Sequence, residues 1–237
     1  MVTNQVVITE KSAEPSFRSE AQGYLRYQGD LADKEVIEGV DAPTSTNDKI
    51  LESAYRCLSK FGYSKTSMDD IAKEGRCSRA TLYRLFPNGK DQIIAEVVAV
   101  NTEIAFNKLK LVVQESKSLR EAVILSVECA IGILEKNEAL QTVVVFDPEY
   151  ILPFLAFEKM DQIFKKIAEL GSPLFDLWLS KSNSMKLAEW LARIIFAYFG
   201  STSEQLKLNQ TKALEEFIDK FVMPGIKVMA EDSEISS

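Results

Sequence analysis

Most of this chain repeats apolar residues at the spacing of an α-helix, and that period is the strongest constraint on its fold. The clearest stripe occupies positions i, i+3, i+4, i+7, i+8, i+11 and i+12, with the members Leu187, Trp190, Leu191, Ile194, Ile195, Tyr198 and Phe199. Residues at this spacing share one face of a helix, whereas a half-buried strand would alternate at every second residue. Because strand-like alternation of useful length does not occur in the sequence, we expect an all-α protein.

Capping residues and helix breakers predict where the helices begin and end. A first helix runs from Asn47 and ends at a glycine, Gly62. A second, over about 68–74, follows Ser67-x-x-Asp70, which has the spacing of a capping box. A third, over about 79–86, follows Ser78 as its N-cap. Longer helices are predicted at about 90–114, 118–136, 138–146, 149–169, 183–200 and 210–229.

Charge divides the chain into three parts. Residues 1–46 carry a net charge of −4, residues 47–94 a net charge of +3 and residues 95–237 a net charge of −6. The first part lacks periodicity and is predicted to be a mostly disordered acidic tail with a short helix near Leu31–Glu38. Positive charge confined to one short segment favours contact with nucleic acid there. The predicted domains are the tail 1–46, a DNA-binding domain 47–94 and a helical domain 95–237.

Several kinds of chemistry are excluded by residues that the sequence lacks. It contains no histidine, which rules out Ser-His-Asp and Cys-His catalysis and histidine metal sites. Cys57, Cys77 and Cys129 are far apart and form no CxxC pair, as is typical of reduced thiols in a cytosolic protein. The sequence shows neither a transmembrane run nor the pattern of a signal peptide. We therefore expect a cytoplasmic protein that is not an enzyme, needs no metal or cofactor and does not bind a membrane.

The segment 47–94 has the layout of a helix-turn-helix unit, with the motif itself at about 67–86. Three short helices with a tight break between the second and the third are typical of this unit, whose last helix enters the major groove of DNA. Leu82, Leu85 and Phe86 are predicted to face a small core with Ile71 and Phe61. The predicted DNA-contacting residues are Thr66, Ser67, Ser78, Arg79, Ala80, Thr81, Tyr83, Arg84 and Lys90.

Each of these residue types suits a contact with double-stranded DNA. Arg79 and Arg84 can make bidentate contacts to guanine, and Thr81 can bond a base or touch a thymine methyl group. Tyr and Ser hydroxyls suit phosphate oxygens. Lys90 begins the first long helix, where a cation is unfavourable for the helix dipole unless an anion such as phosphate lies beside it.

The sequence of residues 47–94 resembles the DNA-binding region of the tetracycline-repressor (TetR) family of bacterial transcription regulators. The matching residues are Ile50, Ala54, Phe61-Gly62-Tyr63, Thr66-Ser67, Ile71-Ala72, Ser78, Leu82-Tyr83, Phe86 and Lys90-Asp91. The helical remainder is similar to the ligand-binding and dimerisation domain of that family. The resemblance implies a ligand-responsive homodimer, more often a repressor, that binds a palindromic operator.

Two sequence features depart from the family pattern. Where the family usually has Ala then Gly in the turn before the recognition helix, this chain has Gly75 then Arg76. If that turn needs a positive φ at its second position, Arg76 is strained, and otherwise the turn shifts its glycine by one place. The loop Pro87-Asn88-Gly89 is one residue longer than usual. Because the segment before the first helix is acidic, we expect no minor-groove contact from the tail.

The C-terminal domain offers two sets of candidate residues. Aromatic side chains near two helix-breaking prolines either fill the helical core or line a cavity for a lipophilic effector, and both interpretations stay open. They are Phe146, Tyr150, Phe154, Phe157 and Trp178. The last two helices are predicted to form the homodimer interface through Trp190, Ile194, Ile195, Tyr198, Phe217 and Phe221.

A second class of function is compatible with the same helices. The chain could be a dimeric helical interaction protein that has lost operator binding, with Arg76 marking a damaged turn. DNA binding that depends on salt and on Arg79 or Arg84 would separate the regulator from this alternative.

Overall fold

The computed structural model describes residues 45–150, 157–200 and 206–228, except the side chains of 157–160 and of residue 200. Within these ranges every regular element is helical, which confirms the predicted all-α class. The predicted tail with its helix near Leu31–Glu38 lies outside the described residues, as does Phe154. The helices are α1 Thr46–Lys65, α2 Met68–Glu74, α3 Arg79–Leu85, α4 Lys90–Val113, α5 Leu119–Lys136, α6 Glu138–Phe146, α7 Phe157–Gly171, α8 Lys181–Gly200 and α9 Thr211–Phe217.

The predicted caps are present at the starts of the short helices. Ser67 and Asp70 form a reciprocal capping box for α2, and the Ser78 side chain accepts a hydrogen bond from the N–H of Thr81 in α3. A further capping box, formed by Ser45 and Asp48, begins α1. Because these side chains satisfy amides that a helix leaves without partners, helices of only seven residues have defined starts.

The first three helices, here called the head, surround a small core together with α4. Its fully buried members include Ile50, Ala54, Ile71, Leu82 and Ile93. Phe61, which is predicted to join this core, is instead exposed at the kink of α1, one residue before Gly62.

A second core lies in the body, which comprises the far half of α4 together with α5, α7, α8 and α9. Ala122, Val123, Leu214 and Ile218 are completely buried there, beside Phe175. The predicted ends of α4, α5 and α6 agree with the structure to within a residue or so. The last helix differs from the prediction, since after Phe217 it passes through a π-helical turn at Ile218–Val222 before continuing to residue 228.

Two further findings complete the description of the fold. The short α6 packs lengthwise along α1 and so joins the head to the body. Among the described residues, no helix has both the length and the apolar character that crossing a bilayer requires.

Candidate nucleic-acid interface

The third helix of the head presents one side to the core and the other to solvent. Leu82 is completely buried, while Ala80, Tyr83 and Arg84 are exposed. Phe86, directly after the helix, is buried as well, and Leu85 is half-buried. The faces therefore divide as the sequence predicted, and α3 is anchored by its apolar side with its polar side uncovered by the described part of the chain.

The arginine that begins α3 is paired with the preceding helix. The Arg79 guanidinium forms an ion pair with the Asp69 carboxylate of α2, and both side chains are more than half exposed. An exposed pair of this kind adds little stability. Its consequence is geometric, because the pair holds the guanidinium of Arg79 on the outer side of the motif.

The hydroxyl groups at the start of α3 bond to each other. The Oγ of Ser78 lies 2.9 Å from Oγ1 of Thr81 and accepts the Thr81 N–H at 3.1 Å. Ser67 is engaged in the same way in its capping box with Asp70. Both serines are exposed, so each can offer a remaining lone pair or proton to an outside group.

The φ angles of the turn between α2 and α3 decide between a strained Arg76 and a glycine shifted by one place. Arg76 has a φ of 50°, whereas Gly75 has an ordinary right-handed φ of −78°. The strained alternative is therefore the one that occurs, and the shifted glycine is not. Gly75 serves another purpose, because a Cβ there would lie 3.1 Å from the carbonyl oxygen of Ile71 and 3.2 Å from Oγ of Ser53. The glycine lets the turn approach α1 closely, and Arg76 accepts the left-handed conformation.

Two further predicted DNA contacts, Thr66 and Lys90, bond to backbone carbonyl oxygens of α1. Thr66 is only 2% exposed, and its Oγ1 donates a hydrogen bond of 2.6 Å to the carbonyl oxygen of Gly62. Its prediction as a DNA contact is therefore corrected: Ser67, and not Thr66, caps α2, which leaves Thr66 inside. Nζ of Lys90 donates to the carbonyl oxygen of Tyr63 at 2.9 Å and lies 4.1 Å from the centre of its ring. A carbonyl oxygen thus supplies the negative partner that the sequence analysis attributed to phosphate.

Three hydrogen-bonded positions join α1 to α6 along a contact here called the seam. The Tyr55 hydroxyl donates to Oδ1 of Asn137 at 3.5 Å, and Oγ1 of Thr142 donates to the carbonyl oxygen of Ser59 at 2.8 Å. The third position is Asp147, which lies directly after α6 and binds the end of α1. No local sequence pattern predicts the seam, because its two sides are about 83 residues apart along the chain.

Asp147 accepts two backbone N–H groups from the head. Its Oδ2 lies 2.7 Å from the amide nitrogen of Tyr63, and its Oδ1 lies 3.2 Å from that of Ser64. The side chain is nearly buried, at 3% exposed. Burial by itself raises the pKa of this carboxyl, but hydrogen bonds from Ser64 and Tyr63 and the charge of Lys65 lower it more, so the net pKa is below its usual value. Asp147 is thus a buried carboxylate that stays ionised.

Tyr63 is held from several directions. Its hydroxyl donates to Asp91 at the start of α4, and its ring centre lies 3.9 Å from that of Tyr150. Burial raises the pKa of the Tyr63 hydroxyl, and the hydrogen bond to Asp91 raises it further. The end of α1 is therefore fixed to α4 and to the segment after α6.

Two of the five aromatic residues predicted to line an effector cavity lie away from the body core. Phe146 is 67% exposed and Tyr150 is exposed beside Tyr63, so both belong to the junction of head and body. This corrects their assignment: α6 turns its other side, with Ala139, toward α1 and leaves Phe146 outside, while Tyr150 follows α6 and packs on Tyr63. Phe157 has no described side chain. Trp178 is half-buried against the body core, which is the position that a lining residue or a core residue would take.

The predicted dimer residues divide into two groups. Ile195 is buried within its own body, which corrects its assignment, because α8 is apolar on more than one side and this side meets the rest of the chain. Ile194, Tyr198 and Phe217 are half-buried at the edge of the same core. Trp190 and Phe221 are exposed and available to a second copy.

Two of the three cysteines have thiols whose pKa is raised by burial. Burial, assisted by the charges of Glu74 and Asp70, raises the pKa of Cys57 to about 11, and burial also raises that of Cys129. Raised pKa values disfavour the thiolate, which is the nucleophilic form of a cysteine. In the described ranges, His, Cys, Asp and Glu side chains form no group of three or more that could hold a metal ion.

Comparison with known proteins decides which family this helix-turn-helix unit represents. Residues 50–97 match the family described as bacterial regulatory proteins, tetR family. The helix-turn-helix segment is thus similar to the DNA-binding region of TetR regulators. A relative from Bacillus subtilis (strain 168), the uncharacterised HTH-type transcriptional regulator YxaF, is 25% identical over 137 residues, which are 53% of this chain and 72% of YxaF.

Solved structures of TetR proteins have the same fold. The TetR family repressor AlkX of Dietzia sp. strain DQ12-45-1b, implicated in biodegradation of n-alkanes, is 16% identical with a TM-score of 0.59, covering 78% of this chain and 98% of AlkX. The fatty acid degradation regulator FadR of Bacillus halodurans is 16% identical with a TM-score of 0.50, covering 77% of this chain and 98% of FadR. At these identities the likeness establishes the TetR fold, with its helix-turn-helix domain followed by a helical domain.

Proposed function

We propose that this TetR regulator is a cytoplasmic, homodimeric repressor that binds a palindromic operator and is released by a small lipophilic effector. The observation that carries the proposal is the division of α3, whose apolar side is buried while Ala80, Tyr83 and Arg84 are exposed beside the paired Arg79. A helix anchored in this way can lie in the major groove. The domain division proposed is tail 1–46, DNA-binding domain 47–94 and effector and dimerisation domain 95–237.

The exposed residues of α3 have separable roles in the proposal. Arg79 and Arg84 contact base edges, and Thr81 adds a hydroxyl and a methyl group that can touch a thymine. Ser67, Ser78 and Tyr83 bind phosphate oxygens, which sets the register of the helix without reading sequence. Ala80 is small, which lets the backbone of α3 come close to the bases.

The proposed dimer joins the last two helices of each copy. Trp190 on α8 and Phe221 on the last helix are exposed, and Val228 extends the second patch. The rings of Phe217 and Phe221 are 5.4 Å apart and form one aromatic surface. Two recognition helices related by a two-fold axis would then read half-sites roughly 34–36 Å apart.

This interface can be tested by changing its exposed apolar residues. Trp190→Glu and Phe221→Glu are expected to convert the dimer to a monomer in sedimentation or light scattering. Leu111→Glu on α4 is a matched control, because Leu111 and Phe221 are both 63% exposed. A monomeric wild-type chain, or dissociation by the control variant alone, would contradict the proposed interface.

The proposed effector binds in the body. The support is the apolar character of the core between α4, α5 and α8, with Trp178 half-buried at its edge. The head offers a contrasting space, a crevice of about 610 Å³ lined by polar and charged side chains such as Lys49, Arg56 and Glu74. A lipophilic compound suits the first surroundings and not the second. Long-chain acyl compounds are the first probes to titrate against the DNA complex.

The DNA contacts are tested by binding to the duplex upstream of the protein's own gene. Arg79→Ala and Arg84→Ala should each weaken specific binding by about 5- to 150-fold, the loss expected for one guanine contact. Lys108→Ala removes the same charge from an exposed site on α4 in the body and should leave affinity nearly unchanged. Absence of salt-sensitive binding by the wild type would instead favour the dimeric interaction protein without operator binding.

A further inference from the structure

We infer that Asp147 is a latch that fixes the DNA-binding head on the body, so that the spacing between the two heads of a dimer depends on this one carboxylate. The inference rests on the proposed function for the meaning of that spacing. The latch itself is a structural contact and can be tested without DNA.

The first line of support is the contact itself. Asp147 follows the helix that joins head and body, and its two carboxylate oxygens accept the N–H groups of Tyr63 and Ser64 at 2.7 and 3.2 Å. Both donors belong to the head. Hydrogen bonds to an ionised acceptor in a buried place are stronger than neutral ones, and losing the acceptor leaves the donors unsatisfied.

The second line of support is Gly62, which is shaped to receive the carboxylate. It has a φ of 75° and a ψ of −174°, a region that only glycine occupies readily. A Cβ at this position would collide with Oδ2 of Asp147. The glycine therefore provides both the kink in α1 and the space that the latch fills.

The third line of support is the path from the latch to the DNA-contacting helices. The carbonyl oxygen of Gly62 accepts the buried hydroxyl of Thr66, and Ser67, the next residue, is the N-cap of α2. Lys90 is bonded to the Tyr63 carbonyl at the start of α4. A displacement of Asp147 would thus act on the end of α1, on the start of α2 and on α4 together.

The other two hydrogen bonds of the seam are weaker than those of Asp147. The bond from Tyr55 to Asn137 is 3.5 Å long, and the bond from Thr142 to Ser59 joins a neutral hydroxyl to a carbonyl oxygen. Neither is charged. Of the three hydrogen-bonded positions of the seam, Asp147 is accordingly the one at which a charged side chain fixes the head.

The first test measures hydrogen exchange of the whole chain by mass spectrometry. In Asp147→Ala, peptides that cover residues 61–66 should lose about 10- to 150-fold in protection, the value of one or more hydrogen bonds to a charged acceptor. Asp147→Asn keeps one acceptor but opposes the second donor, so it should give an intermediate loss. Unchanged protection in both variants would overturn the latch whether or not the chain binds DNA.

The second test measures how binding depends on half-site spacing. Palindromic duplexes recovered by selection are lengthened or shortened by one and two base pairs at their centres. The wild type should prefer the selected spacing by at least about tenfold, a discrimination that a rigid pair of heads permits. Asp147→Ala should bind all spacings within a few-fold of one another, because the end of α1, and with it the start of α2, is no longer fixed to the segment after α6.

Two control variants separate this role from general destabilisation. Val127→Ala opens a cavity in the body core away from the seam, and it should lower affinity, if at all, equally for every spacing. Glu149→Ala removes a nearby exposed carboxylate and should behave as the wild type. A wild-type spacing profile in Asp147→Ala, or a flattened profile in Val127→Ala, would refute the inference. If the wild type binds no duplex, the proposed function fails while the exchange experiment still decides the latch.

Discussion

Replacing Gly62 with alanine tests the contact between head and body through a double-mutant cycle with Asp147→Ala. The substitution has two separate costs. A non-glycine residue in this region of φ and ψ costs about 1–3 kcal/mol. The new Cβ also displaces Oδ2 of Asp147 from the N–H of Tyr63, and one hydrogen bond to a charged group is worth about 1.5–3 kcal/mol.

The backbone cost and the hydrogen-bond cost can be measured separately when the Asp147 carboxylate is absent. In the wild-type background, Gly62→Ala should lower the free energy of unfolding by about 2.5–6 kcal/mol, the sum of both terms. In the Asp147→Ala background only the backbone term of about 1–3 kcal/mol remains. The difference between backgrounds, about 1.5–3 kcal/mol, is the coupling energy.

Gly89→Ala provides the matched control for the backbone term. Gly89 also has a φ of 75°, but a Cβ there would meet no other atom within 4 Å. It should therefore lower the free energy of unfolding by about 1–3 kcal/mol in both backgrounds. Urea unfolding followed by circular dichroism, at one fixed protein concentration, gives each value. Equal effects of Gly62→Ala with and without Asp147 would refute the account of the seam.

Further predictions concern single residues of the head and the latch. Arg76→Gly should raise the free energy of unfolding by about 0.5–1 kcal/mol in urea titrations, because glycine relieves the positive φ, and a loss of stability would contradict this reading of the turn. Thr66→Val should lower the free energy of unfolding by about 1 kcal/mol through loss of its bond to Gly62 while leaving DNA affinity unchanged; a selective loss of affinity would restore Thr66 as a DNA contact. Because the folded pKa of Asp147 is lowered, its stabilisation is present above about pH 4 and is lost as the pH falls below that value. Acid titration of stability should therefore be less steep for Asp147→Asn than for the wild type, and identical acid limbs would show that this carboxyl does not couple to folding.

The local structure of the head could be predicted from the sequence because its signals are short-range. Ser67 and Ser78 predict where α2 and α3 begin, because each side chain accepts a hydrogen bond from the N–H group three residues later. The division of α3 into a buried side with Leu82 and an exposed side with Arg84 follows from its period. Arg76 could be recognised as the exceptional residue of the turn, although the packing role of Gly75 depends on the position of α1.

The seam and the body could not be predicted in the same way, since they depend on contacts between distant segments. The sequence predicts Gly62 as a helix end, but no local pattern connects this glycine with Asp147. Phe146 was assigned to a cavity because it is aromatic, but the side of α6 that meets α1 decides its exposure. Ile195 and Trp190 lie on the same stripe, and a period alone does not say which members of a wide apolar face meet their own chain.

Selection of bound duplexes from random DNA by the full chain tests the central claim most directly. The account predicts one enriched palindrome whose half-sites are centred roughly 34–36 Å apart, as expected for two α3 helices related by a two-fold axis. Enrichment should disappear in Arg84→Ala and persist in Lys108→Ala. Recovery of no sequence, or of a single asymmetric site bound equally well by Arg84→Ala, would contradict it.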